Sequence, residues 1–271
     1  GIATVGSWTL GTTAGANSLT ATSAGLTGSP LTFTATGVAG AATQIAINAG
    51  NEQTAIAGAA VATLPSVLVR DANNNPVAGV SVTFAVASGG GSVTGGSAST
   101  DASGIATVGS WTLGTTAGAN SLTATSGSLS GSPVTFTATG IAGAATQIAI
   151  NAGNGQTAAV GVAVAIPPSV IVRDNNNNPV AGVSVTFAVA SGGGSLTGEN
   201  ATTNASGIAT VGSWTLGTTA GANSLTATSA GLTGSPITFN ATGSAGAATQ
   251  LAFTTQPSAS TVAGVPFAVQ P

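Results

Sequence analysis

Two aspartates in this 271-residue chain stand in nearly the same local sequence. Asp71 lies in VRDANNNPVAG and Asp174 in VRDNNNNPVAG, behind Arg70 and Arg173. An acid in an asparagine-rich loop could give Ca²⁺ one carboxylate ligand, with carbonyl oxygens completing the shell. Calcium takes roughly six to eight oxygens, usually several of them from carboxylates. One carboxylate per loop falls short, and the ligand count favours an aspartate that caps its own turn ahead of Asn-Pro. The remaining acids are Glu52, Asp101 and Glu199. At the corresponding positions of the neighbouring copy stand Gly155, Asn204 and Gly96, so no carboxylate pair recurs. A two-carboxylate glycosidase site would then exist in one copy only. Nucleophilic arrangements built on Ser-His, Cys-His or Ser-Lys are excluded, because His, Cys and Lys are absent. No catalytic residue and no cofactor are assigned, and the chain reads as a non-enzyme.

Other stretches invite chemistry and give simpler readings. SGGGS at 88–92 and 191–195 follows a strand without opening a helix, and a phosphate cradle needs a helix N-terminus or a Lys. The run reads as a flexible inter-strand loop. Asn200, Asn204 and Asn240 begin N-x-Ser/Thr triplets. Their counterparts Ser97, Asp101 and Thr137 do not, which favours chance. Arg70 and Arg173 read as stems packed across a strand end rather than as anion ligands. With only two arginines and a net charge of −3, nucleic acid is not an expected partner. A mean hydropathy of +0.47 hints at a membrane. Yet no run approaches the about 18 apolar residues of a spanning helix. The longest candidate, at 158–172, is broken by Pro167 and Pro168. No signal peptide is visible, and the chain reads as a piece of a longer precursor.

What would position these residues is a repeat. GIATVGSWTLGTTAGANSLTATS at 1–23 returns unchanged at 104–126 and 207–229. Trp8, Trp111 and Trp214 are 103 residues apart, and the Arg-Asp pairs keep the same interval. That is too long for a solenoid unit and fits a domain with its own core. Dividing at GAATQ gives the end of one module at 1–42, complete modules at 43–145 and 146–248, and the start of another at 249–271.

Within a module the period is two. Val183, Val185, Phe187 and Val189 alternate with Ser184, Thr186 and Ala188, which predicts a strand with one buried face. Ile148 with Ile150, and Ile237 with Phe239 and Ala241, do the same. Turn signals separate the runs, and short strands of this spacing over about 100 residues predict an all-β sandwich. The expected core is Trp8, Trp111, Trp214, Phe84, Phe136, Phe187 and Phe239. IATVGSWTLG reads as one strand. For Val211, Trp214 and Leu216 all to face inward, Gly212-Ser213 must form a β-bulge that resets the parity.

The stretch VRDNNNNPVAGVSVTFAVASGGGSLTGENATTNASGIATVGSWTL resembles the bacterial Ig-like modules of the invasin and intimin group. The shared pattern is a Val-rich strand, an Asp-Asn-x-x-Asn-Pro-Val-x-Gly turn, a VxVTF strand, a Gly-rich loop and T(D/N)xxGxAT. The resemblance implies tandem immunoglobulin-like β-sandwiches on a bacterial surface or secreted outside the cell. This chain departs from the group in being nearly charge-free. The leading expectation is a structural stalk, adhesin shaft or surface fibre, whose partners are neighbouring modules of the same chain. One alternative is an adhesin that takes a sugar or protein in sandwich-end loops. Another is a filament joined to other copies of the chain by strand addition.

Overall fold

A computed structural model describes residues 1–252, 255 and 260–266. Among the described residues the regular structure is β-strand, and no helix is long and apolar enough to cross a membrane. Two compact units are present: Gly1–Thr146 with Arg173–Val180, and Gln147–Val172 with Ala181–Pro271.

In the first unit, residues 43–145 form a sandwich. One sheet orders Ala42–Ala49, Ser66–Asp71 and Ile105–Thr107, all antiparallel. The other orders Gln53–Ile56, Val134–Ile141, Gly118–Thr125, Ser81–Ser88 and Ser97–Ser99. Its pairs are antiparallel except the edge pair Gln53–Ile56 with Val134–Ile141. A ribbon of Gly91–Thr94 and Ser110–Leu113 completes the module. The period-two pattern does the sorting: along Val134–Ile141 buried and exposed residues alternate without exception. Val67, Val69, Val82, Phe84, Trp111, Leu113, Leu122 and Phe136 close the core.

The second unit carries the same strands one repeat later. Its five-stranded sheet orders Gln156–Ala159, Ile237–Ser244, Gly221–Thr228, Ser184–Ser191 and Asn200–Thr202, and its ribbon joins Gly194–Thr197 to Ser213–Leu216. Trp214, Phe187, Phe239, Leu216 and Leu225 are fully buried. Among the described residues, no strand pairing crosses between the two copies.

Three expectations are corrected. IATVGSWTLG is not one bulged strand. It breaks at Val108-Gly109 and changes sheet: Ile105–Thr107 pairs with Ser66–Leu68, while Ser110–Leu113 pairs with Gly91–Thr94. The hydrogen bonds hand over from Val108 N–H on Pro65 O to Gly109 N–H on Thr94 O. This crossing sets the parity that buries Val108, Trp111 and Leu113 together, and Val211, Trp214 and Leu216 in the second copy. Secondly, Trp8 is only half-buried. Residues 1–42 carry one hairpin, Gly15–Ala21 with Leu31–Gly37, and no second sheet covers it. Phe33 is accordingly 52% exposed, against 0% for its equivalent Phe136. Thirdly, the SGGGS runs are not slack. Gly91 has φ +87°, and a Cβ on it would run into Thr112 O; one on Gly114 would run into Gly89 O. Two backbones meet there in direct contact. The stretch 249–271 shows no strand in its described residues, and Phe253, Thr254, Gln256–Ala259 and Phe267–Pro271 lie outside them.

Trp111 and Trp214 are 0% exposed, and neither indole Nε1 has a hydrogen-bond partner. The ring is held by packing alone and carries an uncompensated N–H, worth about 1–3 kcal/mol. Trp111→Ala and Trp214→Ala are each expected to cost about 3–5 kcal/mol, each in its own unit. Trp111→Phe should cost well under half of that, since it removes the stranded N–H with part of the ring. Trp8→Ala should cost less than either alanine change. Denaturant unfolding checks this, and equal losses at Trp8 and Trp111 would contradict the burial pattern. Gly114→Ala, with no space for a methyl group, is expected to destabilise by about 1–3 kcal/mol. Gly246→Ala, with nothing within 4 Å of the added Cβ, serves as its control.

Candidate functional site

Asp71 ends the strand Ser66–Asp71 and opens the turn to Pro76. Asn74 sits at φ 65°, a conformation asparagine tolerates, and the chain reverses so that Asp71 N–H meets Asn75 O at 2.9 Å. The carboxylate lies inside this turn, 2% exposed. Oδ1 accepts the backbone N–H of Asn73 and of Asn75, both at 2.8 Å. Oδ2 accepts Asn75 Nδ2 at 3.0 Å and the N–H of Gly40 at 2.7 Å. Asp174 repeats the set with Asn176 and Asn178 N–H at 2.8 Å, Asn178 Nδ2 at 3.0 Å and Gly143 N–H at 2.8 Å.

The electrostatics follow from those donors. The Asn75 side-chain amide, then the Gly40 N–H, then the turn N–H groups, lower Asp71 to about 2 against the upward push of burial. At Asp174 burial pushes upward, and the donors Asn178 Nδ2, Gly143 N–H, Asn178 N–H and Asn176 N–H outweigh it, so its pKa is lowered. A carboxylate ringed by N–H groups is the reverse of a calcium site, which needs further oxygens. Among the described residues no three His, Cys, Asp or Glu side chains gather as a metal would require.

Asp101 offers a contrast. Only its Oδ1 is used, by Ser103 and Ile105 N–H, and Asn204 makes the same two bonds to Ser206 and Ile208. One amide oxygen suffices there, which is why the copies can differ. Asp71 and Asp174 use both oxygens as acceptors, which an amide cannot supply. Arg70 and Arg173 are exposed rather than packed across the strand end. Glu52 and Glu199 are exposed too, Glu52 at φ 56° where the other copy has Gly155 at φ 70°. Of the three triplet asparagines, Asn200 accepts Thr186 Oγ1 at 3.1 Å, Asn204 caps its loop, and Asn240 is exposed.

The decisive partners were not marked by any chemistry-bearing type. Asn75 is 6% exposed and Asn178 4%. Asn75 Nδ2 also donates to Thr12 O at 2.9 Å, and its Oδ1 accepts Ala14 N–H at 2.7 Å. Asn178 makes the same pair within the first unit, with Thr115 O at 2.9 Å and Ala117 N–H at 2.7 Å. The signal available in sequence was the fixed Asp-x-x-x-Asn-Pro spacing of both copies.

Residues 147–242 match the family model of the bacterial Ig-like domain, group 1. Among solved structures, the chain is similar to FdeC, an Escherichia coli adhesin, at 20% identity. That match covers 85% of this chain and 74% of the other, with a TM-score of 0.51. It is also similar to Yersinia pseudotuberculosis InvD at 24% identity, over 73% of this chain and 58% of that one, with a TM-score of 0.46. Invasin, described as a bacterial integrin-binding protein, aligns at 21% identity over 75% of this chain and 39% of its own, with a TM-score of 0.34. No curated protein sequence matches the chain.

The folded-state pKa of Asp71 lies below its ordinary 3.8. Its contribution to stability is therefore complete above about pH 4 and is lost as the pH falls towards about 2. Asp174 acts in the same direction. The contribution of these two aspartates to thermal stability is expected to stay constant between about pH 6 and 9 and to fall below about pH 4. Asp71→Asn should lower stability at neutral pH and flatten the acid slope. An acid slope unchanged by that substitution would show that another group carries it.

Proposed function

We propose that these bacterial Ig-like domains serve as spacer modules in a surface-exposed adhesin-type stalk. The single observation that carries this reading is the fate of Asp71 and Asp174. They are the acids that recur at the repeat interval, and both are consumed by N–H donors of their own turn and of the linker before it. A chain whose recurring polar chemistry is spent on its own architecture offers length rather than a reactive site. The near-identity of the copies supports the same view, since distinct binding tasks would need distinct loops. A surface low in charge also suits changing salt and pH. With Lys absent and only Arg70 and Arg173 present, trypsin-like proteases find few cleavage points. The fold shared with the E. coli adhesin supports a place at the bacterial surface.

The purified chain is expected to show no saturable binding to host cells or to arrays of glycans and matrix proteins. In a surface-displayed protein that contains it, deleting residues 146–248 should shorten the reach of the tip by one module and leave the remaining modules folded. Saturable binding by the purified chain would overturn the spacer reading in favour of a ligand-binding adhesin.

A further inference from the structure

We infer that the Asp-x-x-x-Asn turn is a docking element, and that its partner is the Gly-Thr-Thr-Ala-Gly loop and linker glycine of the preceding repeat. This inference rests on the spacer reading and names the contact that would serve it. The Asn75 side chain pairs with the loop 11–15 as one strand pairs with another: it donates to Thr12 O and accepts from Ala14 N–H. Its second amide hydrogen is held by Asp71 Oδ2, which fixes the orientation of the amide. The other bond on Asp71 Oδ2 comes from Gly40, in the linker that ends residues 1–42. One buried Asp–Asn pair thus grips the earlier repeat at two separate points. The first unit contains a second instance, where Asn178 meets Thr115 and Ala117, and Asp174 meets Gly143.

Recognition is of backbone, so the loop's shape matters more than its side chains. That shape is set by another asparagine. Asn17 Oδ1 accepts Gly11 N–H at 3.1 Å and its Nδ2 donates to Gly15 O at 3.1 Å. Asn120 makes these bonds to Gly114 and Gly118 at 3.0 and 3.1 Å. The third copy of the loop, Gly217–Gly221, is the internal control. Asn223 bonds Gly217 and Gly221 at 3.0 and 3.2 Å there too. Yet Ala220 is exposed where Ala14 and Ala117 are half-buried. Among the described residues no turn meets this third loop, yet it takes the same bonded form as the two docked copies, so that form does not depend on docking. A preformed receptor loses little entropy on docking. The spacing demands Asn: aspartate lacks the donor and would set a second charge beside the first, and glutamine is one methylene too long for a turn this tight.

Amide hydrogen exchange on the whole chain tests the inference. In the parent chain the Ala14 and Ala117 amides should be protected about tenfold over Ala220, the order expected for one net hydrogen bond. In Asn178→Ala, Ala117 should exchange as fast as Ala220 while Ala14 stays protected. In Asn75→Ala the pattern should reverse. These paired variants separate docking from general loss of fold, because each leaves the other contact as a reference. Ala117 exchanging as fast as Ala220 in the parent chain, or unmoved by Asn178→Ala, would overturn the inference. Saturable receptor binding by the chain would sink the spacer reading and leave this exchange pattern untouched.

Discussion

A buried carboxylate in a chain with almost no cations must be satisfied by N–H groups, and that requirement organises the joints of this protein. Asp71 is 2% exposed and has no cationic partner to neutralise it within its turn. It gathers two backbone N–H groups of its own turn, one side-chain amide, and one N–H from the linker. Charge-assisted hydrogen bonds of this kind are stronger than neutral ones and keep the group ionised. The local need of one side chain thereby ties the turn to the residues before it. The orienting of Asn75, and its contact with Thr12 and Ala14, follow from the same bonds.

The rest of the module is governed by packing without charge. Alternating Val, Phe and Leu residues form the two facing layers, and one large aromatic per module fills the space where the chain changes sheet. Burying the Trp111 indole leaves its N–H unpaired, so its place is held by shape and apolar area. Glycine permits what side chains would forbid. Gly89 and Gly114 touch backbone to backbone, and this contact brings the Gly-rich run against the start of the Thr-Thr-Ala loop. Core and joint are therefore neighbours in the sequence as well as in space.

The period of two and the 103-residue repeat were legible because each is written in residue type and spacing. Phe84, Phe136, Phe187 and Phe239 all lie in buried positions of alternating strands. What the pattern could not carry was the exchange of partners. Val108 and Trp111 are buried together through a change of sheet, and only the pairing of Pro65 and Thr94 distinguishes that from a bulge. The Gly-rich runs look slack in sequence because glycine serves equally for freedom and for close approach, and only tertiary contact separates the two. Asn75 and Asn178 are not set apart in type from several neighbouring asparagines. Their role depends on a loop about sixty residues earlier, at |i−j| = 61 and 63, and no local rule reaches that far.

The central claim is that the recurring aspartates are ionised hubs of N–H donors. Carbon-13 titration of the carboxyl groups in the intact chain measures this most directly. The account predicts that Asp71 titrates at about 2 and that Asp174 also titrates below the ordinary 3.8, with neither signal moved by added calcium. Titration of either group at or above 3.8, or a calcium-dependent shift of both, would contradict it.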